Sequence, residues 1–141
     1  AHSFAQDPVF IVVPTTSGTG SEMTSFAVIT DAEEKRKIAL IDDSMYADIA
    51  ILDPQLTLSV PASITANTGF DVLTHGLEAY VAKGATEFTD AIACKAIELA
   101  LNYLPRCYHY GANMAAREAM SKASNMAGIA LISGDSVSST A

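Results

Sequence analysis

Tryptophan is absent from this sequence, cysteine occurs only twice, and positive charge is scarce: 8 Lys and Arg stand against 16 Asp and Glu, a formal net charge of -8. That balance argues against a nucleic acid or an anionic membrane as partner, because both need a basic face. It leaves a small neutral or cationic ligand open. Cys94 and Cys107 lie 13 residues apart, a spacing that makes neither a metal knuckle nor a redox pair. Cys94 falls on a helical apolar face and is expected to be a buried, reduced thiol, which favours the cytosol. No apolar run approaches the about 20 residues of a membrane span, and the opening Ala-His-Ser-Phe-Ala-Gln-Asp lacks the basic and apolar regions of a signal peptide. A soluble, cytoplasmic protein is expected.

What is present is globular: half of the residues are hydrophobic and 17% are charged, so the chain expects to fold or to be covered. It starts without Met, one short polar stretch before a strand, and is expected to be an internal piece of a longer protein. Residues 9–13, Val-Phe-Ile-Val-Val, predict a buried strand of the parallel type ending at Pro14. Residues 26–31 and 37–41 predict a hairpin around a charged turn, and residues 49–52 a further strand stopped by Asp53-Pro54. After Pro61 the texture changes to long 3.6-residue periods, which predict helices over about 63–82, 86–103 and 115–131. Thr86 and Thr89 offer caps and Pro105 is expected to stop the second helix. The fold class is therefore α/β followed by all-α, divided as 1–60 and 61–141. The polar tail 133–141 has no core pattern and is expected to fray.

Two features carry chemistry. Asp71 and His75 stand four positions apart in the strongest helical pattern, so both project from one face, one turn apart. A carboxylate oxygen and an imidazole nitrogen so placed can grip one divalent cation, and mixed oxygen and nitrogen donors suit iron, zinc or manganese. The same spacing also serves a helix-stabilising pair. Glu78 is a candidate outer partner or a surface charge; His2, in the leading tail, and His109, expected in a loop between two tyrosines, do not complete a donor set. The second feature is the loop Thr-Thr-Ser-Gly-Thr-Gly-Ser-Glu at 15–22, directly after a strand, where backbone N–H groups often cradle phosphates. It matches neither the P-loop nor the three-glycine dinucleotide fingerprint, so a tight connection remains the equal alternative.

Taken together, the stretches Pro-Thr-Thr-Ser-Gly-Thr-Gly-Ser-Glu (14–22), Phe-Ala-Val-Ile-Thr-Asp (26–31), Ala-Ile-Leu-Asp-Pro-Gln-Leu-Thr-Leu-Ser-Val-Pro (50–61), Thr-Gly-Phe-Asp-Val-Leu-Thr-His-Gly-Leu-Glu-Ala-Tyr (68–80) and Ala-Gly-Ile-Ala (127–130) resemble the iron-containing, group III, alcohol dehydrogenases, including the alcohol dehydrogenase half of bifunctional aldehyde-alcohol dehydrogenases. The resemblance runs from about residue 9 to 131 and implies a dehydroquinate-synthase-like fold, a nucleotide-binding α/β domain followed by a helical metal-binding domain. By position, Asp71 and His75 look like the first two of four metal ligands. Thr15, Thr16, Thr19, Thr24, Lys37 and Leu56 look like contacts to the dinucleotide. The implied cofactors are NAD and Fe2+, with Zn2+ as the alternative, and the implied reaction is hydride transfer between a primary alcohol or its aldehyde and the nicotinamide, in a homo-oligomer. Both histidines that would complete the metal set, and the glycine-rich turn that would cradle the pyrophosphate, have no counterpart in these residues. The segment 37–48 also departs from the family's Tyr-Pro and Thr-Pro pattern. The competing view is a non-catalytic, ligand-binding or self-associating remnant of that fold, its bare apolar faces covered by another copy.

Overall fold

A computed structural model describes residues 8–135. Its element order is β1 (Ile11–Val12), β2 (Phe26–Asp31), β3 (Arg36–Ile41), β4 (Ile49–Ala50), α1 (Ala62–Val81), α2 (Glu87–His109) and α3 (Met114–Asp135), with short 3-10 turns at Ser21–Met23, Asp43–Met45 and Pro54–Thr57. The α/β part thus precedes the helical part, as the sequence pattern predicts. Residues 1–7 and 136–141, with His2 and most of the polar tail, lie outside the described residues.

β1 and β4 pair in parallel, Ile11 against Ile49 and Val12 against Ala50. Hydrogen bonds from Asp48 N–H to Phe10 O (2.9 Å) and from Ile51 N–H to Val12 O (2.9 Å) continue the pairing at both ends. Among the described residues each of these strands has one neighbour, and the apolar runs extend beyond the paired positions. β2 and β3 form an antiparallel hairpin in which Phe26 opposes Ile41 and Thr30 opposes Lys37. Its turn is closed by Asp31, whose Oδ1 accepts the N–H of both Glu33 and Glu34, and by Lys35 in the left-handed region at φ 49°.

The helices follow from their periodicity and caps. Thr86 and Thr89 form a reciprocal capping box at the start of α2, each hydroxyl accepting the other's backbone N–H. α2 does not stop at Pro105 but runs to His109, so His109 sits on a helix end and not in a loop. Pro105 lies on the exposed face together with Leu101, whose carbonyl loses its helical partner, while Leu104 and Cys107 on the opposite face stay anchored in the core. Cys94, likewise, is exposed; Cys107 is the buried thiol. Cys94 falls one residue past the buried stripe of Ala93, Ala96, Ala100, Leu104 and Cys107, about 100° around the helix. Burial pushes the Cys107 thiol up from its ordinary value, against a smaller opposing pull from Arg117.

The core lies among the three helices and is rich in alanine: Val72, Ala96, Ala100, Leu104, Cys107, Ala116, Met120, Ala123 and Ala127 form one cluster. Small side chains let the helices approach closely. Gly69 and Gly76 of α1 lie where a Cβ would run into Leu104 Cδ1 and Ile97 Cγ1 of α2. Arg117 of α3, 3% exposed, ties the parts together. It donates to Gly111 O (2.8 Å), Thr65 Oγ1 (2.9 Å) and Val60 O (3.0 Å), which are three separate segments. No helix among the described residues is long and apolar enough to cross a membrane.

Candidate functional site

The glycine and hydroxyl loop after β1 is seated on two helices at once. Gly18 N–H donates to Ser124 Oγ of α3 at 2.8 Å, and the Ser17 and Ser121 hydroxyls share a hydrogen bond of 3.1 Å. Both glycines are required by close approach. A Cβ on Gly18 would lie 2.6 Å from Thr68 Cβ of α1. One on Gly20, at φ +62°, would lie 2.7 Å from Ser124 O and 2.9 Å from Gly128 Cα. At the end of the loop Glu22, 4% exposed, accepts a hydrogen bond from Asn125 Nδ2 at 3.2 Å.

With its inner side pinned, the loop turns Thr15, Thr16 and Thr19 outward, where all three are exposed. Thr19 Oγ1 accepts from Ser21 N–H and donates to Ser21 Oγ. Thr24 is 4% exposed and its hydroxyl donates to Ser21 O at 3.2 Å, which holds the 3-10 turn. Thr24 also borders a groove of about 490 Å³ with Phe10, Val12, Ser21, Phe26 and Met45. That volume falls within the range of small-molecule sites. Lys37 is not among the groove's lining: it lies exposed toward the turn end of the hairpin, opposite Thr30, whereas the groove touches β2 at Phe26 and Ala27. Leu56, 43% exposed on the turn Pro54–Thr57, is also outside it. The turn itself is fixed by Asp53, whose carboxylate accepts Gln55 N–H at 2.9 Å.

Asp71 and His75 stand one turn apart on α1, on the ridge that begins at Thr68, and Thr68 is the residue on which Gly18 rests. Asp71 is exposed and His75 is half-buried. The Nδ1 atom of His75 is buried without a hydrogen-bond partner, one of only two such side-chain atoms among the described residues. Buried imidazole nitrogens ordinarily have a partner. An unpaired nitrogen one turn from an exposed carboxylate fits a divalent cation in donor type. The set is incomplete, since no group of three or more His, Cys, Asp or Glu that could hold a metal occurs among the described residues. Glu78 is exposed one turn further along. His109 stacks edge-on with Tyr108 at 5.1 Å, at the far end of α2. Apart from Gly128, which lies in the stretch 127–130, the sequence motifs do not point to the α3 residues that seat the loop. Their signal is the recurrence of Ser121, Ser124 and Gly128 every third or fourth position, with Asn125 beside them, among the alanines and methionines of α3.

Comparison with known proteins gives this arrangement a context. The model of the Fe-containing alcohol dehydrogenase family, C-terminal, matches residues 65–137, and that of iron-containing alcohol dehydrogenase matches residues 3–54. The 1-propanol dehydrogenase of Citrobacter freundii is 52% identical over 120 residues, 85% of this chain and 32% of that protein. The NAD-dependent methanol dehydrogenase of Bacillus methanolicus is 49% identical over 124 residues, 88% of this chain and 32% of that protein. The chain therefore spans about a third of the length of the curated relatives it matches. Among solved structures, sulfoacetaldehyde reductase from Bifidobacterium kashiwanohense in complex with NAD+ superposes with a TM-score of 0.83 at 42% identity, over 85% of this chain and 32% of that one. The two family models follow one another along the chain, the first over its strand part and the second over its helical part, and the chain belongs to the iron-containing alcohol dehydrogenase family.

Proposed function

We propose that these residues serve a metal-assisted, NAD-dependent alcohol dehydrogenase that moves a hydride between a primary alcohol or aldehyde and the nicotinamide. One observation carries this reading: the backbone of the hydroxyl loop rests on α1 at Thr68, three residues before Asp71 and seven before His75. A cofactor lying on the loop's outer hydroxyls and an ion on the α1 ridge would then share one cleft. Residues 1–60 belong to the nucleotide-binding domain in this reading and residues 61–141 to the helical metal-binding domain.

Thr15, Thr16 and Thr19 offer outward hydroxyls to the dinucleotide, Thr24 shapes the loop's exit, and Lys37 and Leu56 approach from the hairpin and the turn Pro54–Thr57. Asp71 and His75 would hold Fe2+, with Zn2+ as the alternative, and two further ligands would complete the set. When bound, the ion would supply Lewis acidity toward the alcohol oxygen and the nicotinamide would supply the hydride acceptor or donor. This chain's contribution is geometry: it fixes the loop and the ligand ridge as one body and narrows water's access between them. With two of the ligands, the 141-residue chain is inactive alone; the full-length protein is a cytoplasmic homo-oligomer.

The test is NAD-dependent oxidation of short primary alcohols by the full-length protein carrying this segment, followed at the nicotinamide absorbance. His75→Ala is expected to lower kcat/KM by at least about 100-fold, since first-layer ligands matter more than the outer partners whose loss costs 10 to 100-fold. Equal activity of the wild type and His75→Ala would refute the reading.

A further inference from the structure

We propose that Ser124 of α3 is a positioning residue for cofactor binding: by accepting the N–H of Gly18 it fixes the height of the nucleotide loop above the ridge that carries Asp71 and His75. The inference rests on the function proposed above and adds to it a residue that touches neither cofactor nor metal. Ser124 is 3% exposed, and its bond to Gly18 is buried and 2.8 Å long. The Gly18 N–H is buried with its acceptor, so loss of the Ser124 hydroxyl leaves it without this partner, and an unpaired buried donor costs more than the bond gains.

The bond lies at the centre of a seam. α3 presents Ser121, Ser124, Asn125 and Gly128 along one face. They meet in turn the Ser17 hydroxyl, the Gly18 N–H, the Glu22 carboxylate and the backbone of Gly20. The adjoining face of the same helix, on which Ala116 and Met120 stand two turns and one turn before Ser124, contributes Ala116, Met120, Ala123 and Ala127 to the cluster that contains Val72 of α1. The helix therefore joins the loop on one face to the core beneath the metal ridge on the other. Close packing transmits displacement between the two faces. Hydride transfer needs reacting atoms within near-contact distance, and a misplacement of about 1 Å can cost on the order of 100-fold in rate. A loop that carries the dinucleotide and is seated by α3 takes its position from the same body as the metal ligands.

Two variants of the full-length protein test this. Ser124→Ala removes the acceptor; Asn113→Ala removes the cap that accepts Ala116 N–H at the start of α3, far from the loop. Ser124→Ala is expected to raise KM for NAD about tenfold, the equivalent of one buried hydrogen bond, while kcat changes by less than about threefold and bound metal is retained. In the cofactor-free protein the Gly18 amide is expected to exchange about tenfold faster in the same variant. Asn113→Ala lowers the melting temperature and leaves both readouts at the wild-type value. An unchanged Gly18 exchange rate in Ser124→Ala overturns the positioning role, as does a KM for NAD that moves equally in both variants. If the wild type binds no NAD at all, the proposed function falls instead, and the exchange rate still decides whether Ser124 sets the loop.

Discussion

The helical part and the strand part of this molecule meet their burial needs in opposite ways. α1, α2 and α3 bury Val72, Ala96, Ala100, Cys107, Ala123 and Ala127 to zero exposure. The hairpin leaves Val28 at 55%, Ile29 at 53% and Ile41 at 76%, so both of its faces are open. β1 and β4 keep Ile11 and Ile49 about half exposed, in a parallel pair of a kind that ordinarily has helices on both sides. A two-stranded piece is marginal without such cover. The helices also have an uncovered stripe, Phe70, Leu77 and Val81 on the outer face of α1, but their inner faces are complete. The helical part brings its own core, and the strand part borrows its order from contact with α3 and from whatever else covers it.

Arg117 is where that difference is most easily broken, because it joins the boundary at Val60 to α1 and to the loop before α3. Arg117→Ala leaves the Val60 and Gly111 carbonyls without this partner. It is expected to cost about 3 kcal/mol in chemical denaturation of the 141-residue chain, as for loss of a buried, charge-assisted network. A loss below about 1 kcal/mol would mean that the parts do not depend on this clamp.

A paired comparison sharpens the point. Val72→Ala removes two carbons from the closed core and is expected to cost about 2 kcal/mol. Ile29→Ala on the open hairpin removes three and is expected to cost less than about 0.5 kcal/mol in the same chain. Similar costs at the two sites, measured by denaturant midpoint at constant slope, would show that the hairpin is packed more firmly than its exposure implies.

Much of this was legible in the sequence, for reasons that differ between the parts. The hairpin 26–31 and 36–41 announces itself by β-branched runs around a charged turn, and the helices by period and by the Thr86 and Thr89 cap. The loop at 15–22 was visible as a binding candidate because glycine and hydroxyl residues follow a strand. What it rests on was not visible, since Gly18 meets Ser124 across 106 positions and no local pattern encodes a contact that the packing of α3 creates. Pro105 misled for a related reason: a proline is a helix stop by local rule, and only the tertiary anchoring of Leu104 and Cys107 carries α2 past it. Cys94 stands one position past the buried stripe of α2, a difference of helical phase that the apolar pattern does not resolve. The pair Asp71 and His75 was legible as a ridge, but the unpaired Nδ1 that supports a metal role is a property of packing.

Metal content of the full-length protein tests most directly the proposal that α1 supplies half of a metal centre. Purified anaerobically with ferrous iron, the wild type is predicted to retain about one equivalent per chain by elemental analysis, and the double variant Asp71→Asn with His75→Ala to retain essentially none while keeping the wild-type circular dichroism. A double variant that is folded and still holds a full equivalent of iron would contradict the account.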